Sequence, residues 1–216
     1  MIEECLLGLS EDCDKKRSTL IMALRGARHL TGRDLLTGVP KDEKSGANLE
    51  SDMVWEAGYG PTVLIGLVFY LILLETLGSL FVRKKSSKSE NLGDGITHAL
   101  SNFSNPKLGT DEIKGIEALR NCLAHKFSLG NDTHIFSLST EFNQLIELPK
   151  NEDKWHGKLD KKEKYYTKIN EVKMCQLVED VFAKMVGEFE IGNLIVKKKH
   201  RKSMEVLKAK YTILYT

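Results

Sequence analysis

One stretch of sequence, residues 62–82 (TVLIGLVFYLILLETLGSLFV), constrains the fold more than any other. It has about 20 residues and a basic flank at 83–85, which suits a transmembrane helix whose C-terminal end is cytoplasmic. Its uninterrupted apolar part ends at Leu74, however, and Glu75 follows, which is costly in lipid. The central helix of a soluble bundle is also apolar all round. We therefore expect a buried bundle helix rather than a membrane span.

Helical periodicity recurs elsewhere and supplies the other members of such a bundle. Ser18 and Thr110 are suited to cap two of these helices, and Pro61 is suited to open the apolar one. A shorter helical piece is expected at 52–57. The four main helices are predicted at 18–30, 61–82, 110–127 and 171–189.

Alternating apolar and polar residues indicate a small β component between the third and fourth helices. Strands are predicted at 134–140, 145–148 and 165–169, within an insertion that covers 130–170. Two more are predicted near the C-terminus, at 194–196 and 211–215. We expect a mainly α, single domain over 1–216, with the β-rich insertion at 130–170 and a basic C-terminal extension at 190–216.

The charge and cysteine content exclude several classes of protein. The 32 basic and 30 acidic residues nearly cancel, so any affinity for phosphate must come from local clusters. The four cysteines form no CxxC pair and no zinc-ligand spacing with histidine, which predicts reduced thiols, no metal and no cofactor. The acidic N-terminus has too short an apolar run for a secretory signal. A cytoplasmic protein is expected.

The third helix carries one polar constellation. Arg120 directly precedes Asn121, and His125 lies one helical turn further on. Asn121 and His125 are i and i+4, so they share a face, and the long Arg120 side chain can reach the edge of that face from about 100° away. A guanidinium, an amide and an imidazole are thus expected beside the buried face of the helix, whose residues are Ile113, Ile116, Leu119, Leu123 and Phe127.

These three groups suit the cleavage of a phosphodiester bond. Arginine offers a planar fork for phosphate oxygens and stays charged at neutral pH. Histidine can act as general base or general acid, and asparagine can orient the imidazole or bind a phosphate oxygen. A base that acts on the 2′-OH of RNA lets that oxygen attack the adjacent phosphorus without a metal. Because one chain supplies one such histidine, two copies across a two-fold axis would complete the acid–base pair.

The segment LRNCLAH resembles the signature of the HEPN superfamily (higher eukaryotes and prokaryotes nucleotide-binding), with Arg120, Asn121 and His125 in its three positions. The resemblance implies a HEPN-like four-helix bundle that dimerises through the motif-bearing faces. It also implies a metal-independent endoribonuclease of toxin–antitoxin or antiviral defence systems, with an antitoxin or regulatory protein as a further partner. Other members of the superfamily bind RNA, nucleotides or proteins without cleaving anything, and that alternative stays open.

A purely structural interpretation of the motif is also open. Arg120 would then form a surface ion pair with Glu117 or Asp111, and His125 would favour the negative end of the helix dipole. The basic clusters can likewise be interpreted in two ways, because a run of charged residues is often only a solvated segment without a binding function. If they instead contact RNA phosphates, the candidates are Arg25, Arg28, Lys126, Lys197, Lys198, Lys199 and Arg201.

Overall fold

The computed structural model describes residues 4, 6–9, 16–41, 61–84, 95–150, 166–197, 200 and 204–214. Helices α1 to α6 are Thr19–Leu30, Pro61–Leu80, Gly95–Phe103, Thr110–Lys126, Glu171–Glu190 and Met204–Tyr211. Strands β1 to β7 are Lys16–Ser18, Phe81–Arg83, Ile135–Ser139, Ile146–Glu147, Tyr166–Asn170, Leu194–Val196 and Thr212–Leu214. The prediction of a mainly helical fold is confirmed, whereas its assignment to the HEPN bundle stays a prediction. The helical piece expected at 52–57 lies outside the described residues.

Helix α2 is the centre of the helical core. It packs against α1, α3, α4 and α5, and it buries residues such as Leu67, Tyr70 and Leu74 completely. By length and composition, Thr62–Leu80 could also cross a membrane, but 56% of that span is buried inside the protein. The apolar character of the segment is thus explained largely by its contacts with four neighbouring helices. Three side chains remain partly exposed along one side of α2: Ile65, Phe69 and Ile72.

Two glycines allow α2 and α3 to touch through their backbones. A Cβ atom on Gly78 would lie 1.9 Å from the carbonyl oxygen of Gly95, so no larger residue fits there. Gly95 itself has φ +54°, which favours glycine, and its Cα faces the Glu75 side chain. This close approach sets the first turn of α3 directly beside Glu75.

The expected β insertion is a three-stranded sheet with strand order β3–β5–β4. Strand β5 pairs in parallel with β3 and antiparallel with β4. Phe136, Ile146 and Ile169 on one face of the sheet are buried. A Cβ atom on Gly115 of α4 would lie 2.9 Å from Cδ1 of Ile146, so this glycine lets the sheet pack tightly on α4. The insertion therefore rests on the helix that carries the polar constellation.

The C-terminal segment pairs with earlier parts of the chain. Strand β6 is antiparallel to β2, which directly follows α2, and β7 is antiparallel to β1 at the start of α1. The strand expected at 194–196 is confirmed, and the one expected at 211–215 is observed as Thr212–Leu214. The described part of 190–216 thus joins the rest of the fold through the pairing of β6 and β7, and Leu207 of α6 is buried in the core.

Candidate active site

Helix α4 is fixed at both ends by local contacts. The backbone N–H of Gly109 donates to the Glu112 carboxylate at 2.6 Å, so the N-cap is Gly109 and the expected cap at Thr110 is wrong by one residue. At the other end, Phe127 adopts the left-handed conformation with φ 47° and closes the helix. Its side chain is 79% exposed, so the expectation that Phe127 belongs to the buried face is also wrong. The chain leaves the helical path here, which turns the ring to solvent.

The structure brings the three motif side chains together at the surface of α4. Nη1 of Arg120 donates to Oδ1 of Asn121 at 2.8 Å and lies 2.9 Å from Nε2 of His125. A guanidinium can only donate, so Nε2 is the acceptor and the ring proton lies on Nδ1 in this tautomer. Asn121 and His125 are exposed, and the Arg120 side chain is 16% exposed. The predicted gathering of guanidinium, amide and imidazole is therefore confirmed.

A fourth member of the site comes from α2. Nη2 of Arg120 forms an ion pair with the Glu75 carboxylate, across the α2–α4 contact. The sequence contained a signal for this pair, because a lone acidic residue within an apolar helix needs a partner. In place of the local ion pairs considered for Arg120, Asp111 pairs with Lys114 at 3.9 Å, and Glu117 accepts from Thr97 at 3.3 Å.

Burial distinguishes the roles of Arg120 and its neighbour Cys122. Burial lowers the pKa of the Arg120 guanidinium, yet a group that titrates so far above neutrality stays charged. Its Nε is buried and has no hydrogen-bond partner within the described part of the chain. Cys122 is buried, and burial raises the pKa of its thiol, which disfavours the thiolate. Arg120 thus keeps its charge in the site, while Cys122 packs as a small apolar side chain.

The residues predicted to bind RNA are dispersed. Lys126 is exposed next to His125, Arg25 is half-buried on α1, and Lys197 is half-buried after β6. Lys198, Lys199 and Arg201 lie outside the described residues. Of the described candidates, Lys126 is the one that neighbours the motif along α4.

The prediction that Arg28 contacts RNA is wrong. Its side chain is buried, and Nε and Nη2 donate to the Glu179 carboxylate at 2.8 and 2.7 Å. Nη1 donates to the carbonyl oxygens of Leu35 and Leu36. The Tyr70 hydroxyl donates to the same Glu179 at 2.6 Å, which together with burial raises the pKa of this phenol. Arg28 joins α1 to α5, and four of its five N–H donors are used within the protein by a side chain that is 8% exposed.

No known protein family, curated protein or solved structure matches this chain. Among the described residues, no three His, Cys, Asp or Glu side chains are grouped as metal ligands would be. The site is thus a surface cluster of one paired cation, one amide and one imidazole. Such a cluster can bind a phosphate oxygen, move one proton and stabilise negative charge.

Proposed function

We propose that this protein is a metal-independent endoribonuclease of HEPN type that works as a homodimer. The observation that carries the proposal is the hydrogen-bonded group of Arg120, Asn121 and His125 on an exposed edge of α4, with Arg120 anchored by Glu75. Asn121 and His125 are exposed and Arg120 reaches the surface with 16% of its side chain, so the group contains the chemical functions that RNA cleavage through the 2′-oxygen requires.

The chemistry follows from the donors and acceptors of this group. His125 removes the proton of a ribose 2′-OH, whose oxygen forms a bond to the adjacent phosphorus while the bond from phosphorus to the 5′-oxygen breaks. Arg120 stabilises the charge that develops on the phosphate oxygens, and Asn121 orients the cluster. The leaving 5′-oxygen takes its proton from a second histidine, which acts in its protonated, imidazolium form. We assign that acid to His125 of a second copy.

An exposed apolar stripe on α2 supports the homodimer. Ile65, Phe69 and Ile72 follow helical spacing along one side of α2 and are 38–42% exposed. Glu75 comes at the next turn, so the stripe leads to the anchor of Arg120. A two-fold contact along this stripe would bring two motifs near each other. By the same proposal the protein is cytoplasmic, acts in a toxin or antiviral defence system, and has an antitoxin or regulatory partner.

Cleavage of RNA without divalent metal tests the proposal directly. Purified protein in EDTA is expected to cut single-stranded RNA into fragments with 2′,3′-cyclic phosphate ends, because the 2′-oxygen is the nucleophile. An all-deoxy strand of the same sequence is expected to stay intact. Gel analysis and phosphate-end mapping measure both outcomes. Intact RNA after prolonged incubation, or fragmentation that needs Mg²⁺, would refute the proposal.

A non-catalytic HEPN-like module is the second candidate, and one observation favours it. Nε2 of His125 already accepts from Arg120, so this nitrogen must be released before it can act as a base. A protein of this class would bind RNA, a nucleotide or a partner protein and leave RNA intact. The EDTA assay therefore separates the two candidates, since only the nuclease yields fragments.

The Glu75→Gln substitution tests the anchor of Arg120. We expect kcat for RNA cleavage to fall by about 100-fold, because a displacement of about 1 Å in a catalytic group can have that effect. The glutamine keeps the shape of the Glu75 side chain and removes its charge. KM should change little if Arg120 acts mainly in the transition state. Steady-state cleavage rates measure both parameters.

Glu117→Gln is the matched control, because Glu117 is exposed on α4 and faces Thr97 rather than the motif. It should cleave RNA at the wild-type rate. Equal kcat values for the two variants would show that Glu75 does not position Arg120.

A further inference from the structure

A cavity of about 600 Å³ lies over the β insertion. Its volume is within the range of sites that hold small organic molecules. Its lining combines apolar side chains, such as Leu129, Phe136 and Phe142, with the hydroxyl, acidic, phenol and ammonium groups of Ser137, Glu141, Tyr166 and Lys168. Apolar surface next to a few polar groups suits a ligand with a flat ring and polar edges.

The polar lining belongs to the outward face of the sheet. Phe136, Thr167 and Ile169 are buried on the inward face, which packs against α4. Side chains alternate along a strand, so Ser137, Tyr166 and Lys168 project from the opposite face. The parallel register pairs Ser137 with Lys168. Lys168 lies two residues after Tyr166 and therefore on the same face of the sheet. A ring, a hydroxyl and an ammonium group, all from half-buried residues, thus lie on the same face of the sheet.

This surface is close to the motif. Leu129 lines the cavity and lies four residues after His125, so their Cα atoms are at most about 14 Å apart. The Leu129 carbonyl accepts from the N–H of Phe136 at 2.7 Å, which ties the end of α4 to β3. Phe127, which lies between His125 and Leu129 in the chain, has an exposed ring. One nucleic-acid strand can therefore contact the motif and the cavity together.

We propose that this cavity is a subsite for an unstacked base of the RNA strand that the motif cleaves. The proposal rests on the proposed function. The base stacks on the Tyr166 ring, and Lys168 contacts a neighbouring phosphate. The hydroxyls of Ser137 and Ser139 and the Glu141 carboxylate face the edge of the base, where a carboxylate accepts from an amino group. Lys168 is 36% exposed and lies 3.3 Å from Glu147, so its ammonium group can exchange this partner for phosphate.

Binding of a strand that cannot be cleaved tests the subsite independently of catalysis. The probe is a fluorescent single-stranded RNA with 2′-O-methyl groups, titrated with wild-type protein and followed by anisotropy. Tyr166→Ala should weaken binding roughly 5- to 150-fold, since stacking contributes about 1–3 kcal/mol per base. Tyr166→Phe keeps the ring and should bind as the wild type does. Lys168→Gln should reduce the slope of log affinity against log salt by about 0.7.

Each outcome decides the proposal. Loss of affinity in Tyr166→Ala with retention in Tyr166→Phe supports the subsite, provided that both variants unfold at the wild-type temperature. Equal affinity of Tyr166→Ala and wild type overturns it, even if the wild type cleaves RNA in EDTA. Failure of the wild type to bind the probe overturns the subsite as well. Binding that depends on Tyr166 without any cleavage keeps the subsite and refutes only the nuclease.

Discussion

Replacing His125 with alanine is expected to lower the rate of RNA cleavage by at least about 10²–10⁴-fold, the usual contribution of a single general acid or base. In a homodimer each substitution removes both the base and the acid, because every copy supplies the same histidine. His125 is exposed and contacts Arg120, so the fold should be unaffected. Single-turnover cleavage assays measure the rate, and thermal unfolding verifies the fold.

His29→Ala is the matched control for this experiment. His29 is also an exposed histidine near the end of a helix, but it lies on α1. The His29→Ala variant should cleave RNA as fast as the wild type. Undiminished cleavage by His125→Ala would remove this residue from the mechanism, and an equal loss in His29→Ala would point to a general effect on the protein.

Glu179→Gln is expected to lower the free energy of unfolding by about 3–5 kcal/mol, the usual effect of breaking a buried ion pair by removing one partner. The Arg28 and Glu179 side chains are each 8% exposed. The amide cannot accept two N–H groups of Arg28 and the Tyr70 hydroxyl as the carboxylate does. Arg28 would stay charged and lose its counterion. Urea denaturation followed by circular dichroism measures the change.

Asp180→Asn is the control at the neighbouring position. Asp180 is exposed and accepts from Gln176 at 2.8 Å, so its substitution should change the free energy of unfolding by less than about 0.5 kcal/mol. In the double variant Arg28→Met, Glu179→Met, the buried charges are removed together, so stability should exceed that of Glu179→Gln. If Glu179→Gln is no less stable than Asp180→Asn, the pair does not hold α1 to α5.

Helix α3 shows why part of the fold escaped prediction. It has 9 residues, and 7 of them are buried, so no exposed polar face reveals a helical period. Two of the buried residues are polar. Nε2 of His98 lies 3.0 Å from the Phe81 carbonyl oxygen, and Asn102 lies within hydrogen-bond distance of Nδ1 of His98. Burial of these groups is tolerated because they have partners, and the Phe81 carbonyl comes from another element.

Phe127 illustrates a different limit. The helical period of α4 predicts that Phe127 lies on the buried face. The same period correctly predicts the buried residues Ile113, Ile116, Leu119 and Leu123. It failed at Phe127 because the chain enters the left-handed region there. A helical period does not itself mark the residue at which the helix stops, and the basic residues of the last turn, His125 and Lys126, indicate that end only to within a few residues.

The amino-acid sequence alone determined the features that depend on near neighbours: the apolar α2, the strands of the insertion, and the grouping of Arg120, Asn121 and His125 within little more than one turn of α4. Helical and strand periods are properties of adjacent residues. Tertiary structure alone decided that Glu75 anchors Arg120 and that Arg28 is buried against Glu179, 151 residues away. Partners so distant along the chain meet only through the packing of whole helices. Once they meet and water is largely excluded from the contact, each charge requires an oppositely charged partner.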